Sequence, residues 1–195
     1  MPTNVDRTRY MLRHEAITTR HTDIAAIRSL YFSSFSEAEQ APFWFIVRRA
    51  KARNINFRAY YDGEIFAGFA YFVAADDLTY LGFIAINPDS RSKGYGSQIM
   101  AHIESYYPEN RILLCIEKVN EAAENNQQRI RRRDFYLRNG YSSSSLIVEE
   151  KGENFELLVK GGDCSKEDFY KVIKKFASPL VFPFIKPKLR TMDES

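Results

Sequence analysis

A short glycine-containing segment carries the clearest chemistry in the sequence. It reads Arg91-Ser92-Lys93-Gly94-Tyr95-Gly96, between an apolar run that ends at Asn87-Pro88 and a segment with helical periodicity. Because glycine has no side chain, the backbone of such a turn can approach a ligand closely, and the N–H groups at a helix start attract anions. Arg91 and Lys93 add positive charge. The segment therefore predicts a phosphate-binding turn, the alternative being a tight turn without a ligand.

Two common nucleotide-binding patterns do not fit this turn. The segment lacks the Gly-x-x-x-x-Gly-Lys-Ser/Thr pattern of a P-loop, and the dinucleotide pattern needs a third glycine where the chain has Ile99. If the turn binds a phosphate, the protein is therefore neither a P-loop protein nor a dinucleotide-binding protein of the usual pattern.

The segments around this turn predict strands mixed with helices. Asp62-Gly63 separates two β-favouring runs and is typical of a two-residue hairpin turn. Period-2 and continuous apolar runs predict strands near 15–19, 56–61, 65–74, 80–86, 112–116, 146–149 and 155–160. Helical spacing predicts helices near 22–33, 43–50, 96–107, 126–139 and 166–176, the last with a Ser165-x-x-Asp168 capping box. The order predicts a mixed α/β (α+β) fold with a mostly antiparallel central sheet of six to seven strands and helices on both faces.

Two motifs resemble those of the GNAT superfamily of acetyl-CoA-dependent N-acetyltransferases. The first is Ile84-Ala85-Ile86-Asn87-Pro88 followed by Arg91-x-x-Gly94-x-Gly96, at the end of a predicted strand. The second is Phe135-Tyr136-Leu137-Arg138-Asn139-Gly140-Tyr141, on the last turns of the next helix but one. The order of elements from residue 15 to residue 160 is also similar to that superfamily.

The resemblance implies acetyl-CoA as co-substrate and a sheet that is splayed at the strands flanking its site. The residues that would hold it are Ile84, Ala85, Ile86, Arg91, Ser92, Lys93, Gly94, Tyr95, Gly96 and Ser97. Backbone N–H groups at the end of the strand would serve as an oxyanion hole. Where the superfamily often has Asn and Ala, this chain has Arg129 and Arg132.

Two residues are candidates for catalysis. Glu117 follows the strand at 112–116 and could take the proton of the attacking amine, although a glutamate at a strand end is commonly a solvated charge. Tyr136 stands where the superfamily has its usual acid and could protonate the departing thiolate, the alternative being an aromatic ring that packs under the coenzyme. Glu37 and Glu39 could attract a cationic substrate or belong to a polar loop.

The implied function is transfer of the acetyl group of acetyl-CoA directly to a primary amine of a small molecule or peptide, through a ternary complex. The alternative is a catalytically silent acetyl-CoA-binding module that acts as a sensor or scaffold. Residues 15–162 would form the N-acetyltransferase domain. Residues 163–195 would form a C-terminal helix and an apolar tail that packs on the domain or on a partner subunit, in a monomer or homodimer.

Composition limits the other possibilities. The 28 Lys+Arg and 25 Asp+Glu give a net charge of only +3. The arginines of the helix at 126–139 are interpreted as a solvated face paired with Glu121 and Glu124, so no nucleic-acid partner is predicted.

Cys115 and Cys164 have no histidine at metal spacing, so free thiols and no metal are expected. No long apolar run occurs, and residues 1–13 lack the apolar core of a signal peptide. We therefore expect a cytoplasmic protein without membrane contact.

Overall fold

The computed structural model describes residues 12–150 and 152–191 of the chain. Within these residues the strands are β1 (Arg13–Ala16), β2 (Ile55–Asp62), β3 (Ile65–Ala75), β4 (Leu78–Ile86), β5 (Arg111–Glu117), β6 (Ser142–Glu150), β7 (Glu153–Lys160) and β8 (Lys188–Thr191). They form one sheet in the order β1-β2-β3-β4-β5-β7-β6-β8. Only the β4–β5 pair is parallel in this sheet, so the predicted mixed and mostly antiparallel sheet is confirmed.

Helices cover both faces of the sheet, as the sequence predicted. They are α1 (Ile24–Ser34), α2 (Phe43–Arg49), α3 (Tyr95–Tyr106), α4 (Asn126–Arg138), α5 (Lys166–Ala177) and α6 (Phe182–Ile185). Helices α1 and α2 pack on the face of β2–β4 that also receives Phe176 of α5, whereas α3 and Tyr136 of α4 pack on the opposite face. The helices thus divide the core into layers on either side of the sheet.

Strand β3 lies inside the sheet with helices on both faces, which explains its continuous apolar sequence. Successive side chains of a strand point to opposite faces. Phe69 and Tyr71 pack with α1 and α2, whereas Ala70 and Phe72 pack with α3, and all four are fully buried. A strand with a helix layer on each face must be apolar at every position.

The sheet opens between β4 and β5. These strands pair only where Leu78–Tyr80 lie beside Arg111–Leu113, although β4 continues to Ile86 and β5 to Glu117. Beyond Tyr80 the two strands diverge, so the β5-facing backbone groups of β4 border a gap. The splay that the resemblance implied is present at this position.

The sheet has eight strands in the described residues, rather than the predicted six to seven. The added strand is β8, which lies in the tail and pairs antiparallel with β6, with Val148 opposite Leu189. Lys188 and Arg190 alternate with Leu189, which packs into the core against β6 and α5. We missed this strand because four residues are too few for a period-2 pattern to stand out among prolines and lysines. Strand β8 forms backbone hydrogen bonds with the edge of β6, whose N–H and C=O groups would otherwise need other partners.

The ends of two helices test the sequence-based expectations. The Ser165 capping box is confirmed: the Asp168 N–H donates to Ser165 Oγ at 3.1 Å, and the Ser165 N–H donates to Asp168 Oδ2 at 3.3 Å. Helix α1, predicted near 22–33, begins after Asp23, which makes no side-chain capping bond. The expectation about residues 1–13 falls almost wholly on residues 1–11, which lie outside the described residues, as do residues 192–195.

Candidate active site

A cavity of about 640 Å³ opens where β4 and β5 separate. Nine of the ten residues predicted to hold the co-substrate line it: Ile84, Ala85, Ile86, Arg91, Ser92, Gly94, Tyr95, Gly96 and Ser97. Lys93 is the exception, and its ammonium lies over the Tyr95 ring, 5.9 Å from the centroid. Side chains of α4 form the facing wall, among them Arg131, Arg132 and Tyr136.

The turn between β4 and α3 has the backbone shape that its glycine allows. Gly94 immediately precedes α3 with a φ of +77°, and Ser92 also has a positive φ of +64°. A Cβ atom built on Gly94 would meet no atom within 4 Å. The requirement for glycine here is therefore conformational, and the space in front of the turn is open.

The residues of this cavity fit the phosphates of acetyl-CoA. The first N–H groups of a helix have no partners within the helix and attract anions, and α3 begins at the cavity wall. Arg91, Arg131 and Arg132 also line the cavity, so positive charge faces it from both the turn and α4.

Gly96 brings the two motifs together. A Cβ atom at this position would lie 3.0 Å from Cζ of Phe135, the first residue of the second motif. The second glycine of the turn thus allows α3 to pack closely on α4. Contact between the helices is thus one reason for the residue types at these two positions, both of which also line the cavity.

Gly68 is a site-forming residue that our sequence analysis missed. It lies opposite Ile86 on β3, and a Cβ atom there would be 2.2 Å from the carbonyl oxygen of Ala85. Glycine therefore lets β3 approach the end of β4, next to the cavity. A single glycine inside an apolar strand is the signal that could have indicated this close approach.

Tyr136 is buried in the cavity wall with 6% of its surface exposed. Burial is the main cause that raises the pKa of Tyr136 to about 12. The charge of Arg132 opposes this shift, and the charge of Glu39 adds to it. Its ring contacts Phe135 and Tyr141. The phenol is therefore protonated at neutral pH and can donate a proton into the cavity.

Glu117 is buried and held by two arginines of α4. Arg129 Nη2 lies 3.1 Å from Oε1, and Arg132 Nη1 lies 3.1 Å from Oε2. Asn125 Nδ2 adds weaker contacts at 3.4 Å. The partners of Arg129 and Arg132 thus include Glu117, whereas the sequence suggested Glu121 and Glu124. Both carboxylate oxygens of Glu117 therefore face guanidinium groups.

A second cavity, of about 460 Å³, lies on the face of the sheet that carries α2 and α5. Its wall includes Glu39 and Trp44 from the region of α2, Tyr80 and Phe83 of β4, and Cys115 of β5. Trp44 lines this cavity and is 68% exposed.

An ion pair connects the two cavities. Arg132, which lines the first cavity, has its Nη1 atom 3.7 Å from Oε1 of Glu39, which lines the second. The other oxygen of Glu39 accepts hydrogen bonds from the N–H and the hydroxyl of Ser36, at 2.8 and 3.0 Å. The two cavities therefore approach each other beside the gap between β4 and β5.

Comparison with known proteins identifies the family. The sequence model of the acetyltransferase (GNAT) family matches residues 24–141, more than half of the chain. The chain belongs to this family. It is therefore an acetyltransferase, and acetyl-CoA is its co-substrate, as the two motifs implied.

Solved GNAT structures share the fold. A GNAT-family acetyltransferase from Bacteroides thetaiotaomicron is 23% identical, with a TM-score of 0.64 over 87% of this chain and 98% of that one. The ribosomal-protein-S18-alanine N-acetyltransferase from Escherichia coli is 15% identical, with a TM-score of 0.57 over 81% and 98%. A GNAT acetyltransferase from Elizabethkingia anophelis, solved with acetyl-CoA bound, is 11% identical, with a TM-score of 0.54 over 78% and 99%. A search of curated proteins finds no match.

Within this GNAT fold, Cys115 is not suited to nucleophilic attack. It lines the second cavity, and burial raises the pKa of its thiol to about 12, although a hydrogen bond with Tyr80 partly opposes the shift. A protonated thiol is a poor nucleophile.

The described residues contain no group of three or more His, Cys, Asp or Glu side chains that could hold a metal ion. None of the helices in the described ranges is long and apolar enough to span a bilayer.

Proposed function

We propose that this GNAT acetyltransferase moves the acetyl group directly from acetyl-CoA to a primary amine, in a ternary complex. The observation that supports this proposal is the pair of cavities, which lie on the two faces of the sheet beside the gap between β4 and β5. The first cavity, which we call the coenzyme cavity, contains the predicted phosphate-binding turn. The second, which we call the acceptor cavity, contains the carboxylate of Glu39, which could bind an amine. Two substrates can therefore occupy the protein together.

The turn and the end of β4 would bind the co-substrate, which supplies an acetyl thioester. The start of α3 and the side chain of Arg91 hold its phosphates. Among the described residues, no strand pairs with 81–86 on their β5 side, so we assign the backbone N–H groups of Ile84 and Ile86 to bind the thioester carbonyl. These donors stabilise the negative charge that develops on that oxygen.

Two side chains would handle protons. Tyr136 donates its phenolic proton to the departing thiolate, because it faces the coenzyme cavity and stays protonated at neutral pH. Glu117, our first choice for the base from sequence, instead fixes Arg132 through their ion pair. Glu39 lines the acceptor cavity, so it is the carboxylate we assign to attract the substrate ammonium and take its proton.

Steady-state kinetics test direct transfer. We expect initial-rate plots against acetyl-CoA at several fixed amine concentrations to intersect, because both substrates must be bound before reaction. Cys115→Ser should retain activity. Parallel plots, or an acetylated Cys115 in the mass spectrum of protein mixed with acetyl-CoA alone, would overturn the ternary complex. Acetyl-CoA binding without coenzyme A release for any amine would favour the silent sensor or scaffold.

Three expectations from sequence stay predictions at this point. They are the division into a domain at 15–162 and a C-terminal segment at 163–195, a cytoplasmic location, and a monomeric or homodimeric state.

A further inference from the structure

The acceptor cavity is built mainly of aromatic and aliphatic side chains. Among its described wall residues only Glu39 and Glu150 are charged. Its apolar wall includes Trp44, Phe155, Phe169, Phe176, Ile173 and Val181. A volume of about 460 Å³ lies within the range of about 300–1,000 Å³ that is usual for small-molecule sites.

We propose that the acceptor is a small monoamine that carries a bulky apolar body, aromatic or branched aliphatic. The inference rests on the proposed function and names the substrate class of the same site. The amino group lies toward Glu39, and the apolar body lies against α5 and the tail.

The position of Glu39 sets this orientation. Its ion pair with Arg132 places it at the end of the acceptor cavity that meets the coenzyme cavity. The thioester must also be near that junction, since the gap between β4 and β5 opens there. An ammonium drawn to Glu39 is therefore brought to the reacting carbon, and the rest of the molecule extends away from it.

The wall disfavours acceptors with several charges or many hydroxyl groups. Glu39 and Glu150 could pair with two ammonium groups at most, so a longer polyamine would place any further ammonium group against aromatic and aliphatic side chains, and burial of an unpaired charge is strongly unfavourable. An apolar body instead displaces water from these surfaces, and burial of apolar surface favours binding.

The C-terminal segment supplies part of this apolar wall. Val181, Ile185 and Pro187 line the cavity around α6, and β8 fixes the chain that follows to the edge of β6. Phe184 lies on the same short helix but does not line the cavity, and it is 88% exposed. Neighbouring positions of α6 thus provide one wall residue and one matched control.

The first test compares amines that differ in their apolar body. With the full-length protein and saturating acetyl-CoA, coenzyme A release and the mass of the product are measured for 2-phenylethylamine, ethanolamine and spermidine. We expect kcat/KM to be about tenfold to hundredfold higher for 2-phenylethylamine than for ethanolamine, because a buried phenyl group adds apolar contact.

The second test changes the wall. Ile185→Ser should raise KM for 2-phenylethylamine about tenfold and leave KM for acetyl-CoA unchanged. Phe184→Ser should change neither value. Circular dichroism of both variants checks that they fold, and Val181→Ser serves as a second wall variant that should behave like Ile185→Ser.

The outcomes separate this inference from the proposed function. Equal or better use of ethanolamine or spermidine, or equal effects of Ile185→Ser and Phe184→Ser, would overturn the apolar acceptor and leave N-acetyl transfer standing. Calorimetric binding of 2-phenylethylamine that Ile185→Ser weakens, with no amine acetylated, would support the apolar site and overturn the proposed function. Failure of 2-phenylethylamine both to bind and to react would overturn the apolar acceptor.

Discussion

Tyr136 and Glu117 were both candidates from sequence, and the structure surrounds them differently. Tyr136 faces the coenzyme cavity among aromatic rings, whereas the two oxygens of Glu117 face Arg129 and Arg132. A motif could indicate Tyr136 because its position relative to Gly140 is local in sequence. The partners of Glu117 depend on how α4 docks beside β5, which no local pattern encodes.

Replacement of Tyr136 tests the acid. Tyr136→Phe removes only the hydroxyl group, so kcat should fall by about 100-fold while KM for acetyl-CoA changes little. Because burial raises the pKa of Tyr136 to about 12, the wild-type kcat should show no loss from ionisation of this phenol between pH 6 and 9. The measurement is kcat across that pH range for both proteins.

Tyr141→Phe is the control for this experiment. Tyr141 packs against Tyr136 in the same buried cluster but does not line the coenzyme cavity. An unchanged kcat in Tyr136→Phe, or an equal loss in both variants, would contradict the acid assignment.

Glu117 should matter for stability. Glu117→Gln leaves Arg129 and Arg132 without this carboxylate in a largely buried setting, so unfolding free energy should fall by about 2 kcal/mol. Urea unfolding measures the change, with Glu121→Gln as a control at an exposed position. If stability is unchanged and kcat/KM loses its dependence on a group that titrates in acid, Glu117 is the base and our assignment of Glu39 is wrong.

Strands β3 and β4 approach each other closely where the site forms. Gly68→Ala would place a Cβ atom 2.2 Å from the Ala85 carbonyl oxygen, so we expect a loss of about 3 kcal/mol or more in unfolding free energy. Gly63→Ala is a control for positive φ without a close contact, although φ at Gly68 is +157°. It also has positive φ, at +57°, but its Cβ would meet nothing within 4 Å, and it should lose only about 1 kcal/mol. Equal losses in urea unfolding would show that the close approach does not matter.

His102 of helix α3 contacts residues of strands β1 and β2. His102 Nδ1 lies 2.9 Å from the Tyr60 hydroxyl, and its ring centroid lies 4.1 Å from that of His14. Burial, together with His14 and Arg58, lowers the pKa of His102 to about 4. The unfolded chain therefore binds this proton near pH 6.5, whereas the folded chain does so only near pH 4.

Stability should consequently fall as the pH decreases from about 6.5 to about 4. Since His102 is partly exposed, we expect a contribution of about 1 kcal/mol after solvent screening. Urea unfolding at several pH values measures it, and His102→Gln should flatten this part of the profile. An identical profile for the wild type and the variant would contradict the lowered pKa.

Local patterns predicted most elements of the fold, and tertiary contacts decided the rest. The Asp62-Gly63 turn, the Ser165 cap and the apolar run of β3 are each specified by neighbouring residues. Strand β8 is different, because its four residues form a strand only where the edge of β6 is open to them. Short elements that complete an edge cannot be read from their own sequence.

The molecule as a whole has two cavities on opposite faces of one opened sheet, and we assign them to the co-substrate and the acceptor. The motifs predicted the coenzyme side, because its turn and α4 are contiguous stretches of sequence. The acceptor side collects residues from the region of α2, from β4–β7, from α5 and from the tail. Its composition became visible only when these distant segments were brought together.

Native mass spectrometry of the full-length protein with acetyl-CoA tests the central claim most directly. We predict one acetyl-CoA per chain, and loss of this adduct in Gly94→Glu, whose side chain would enter the open space before the turn. Gly152→Glu, at another glycine with positive φ and outside both cavities, should bind like the wild type. A folded, coenzyme-free protein that forms no adduct would contradict the account, since the turn at 91–96 would then not be a co-substrate site.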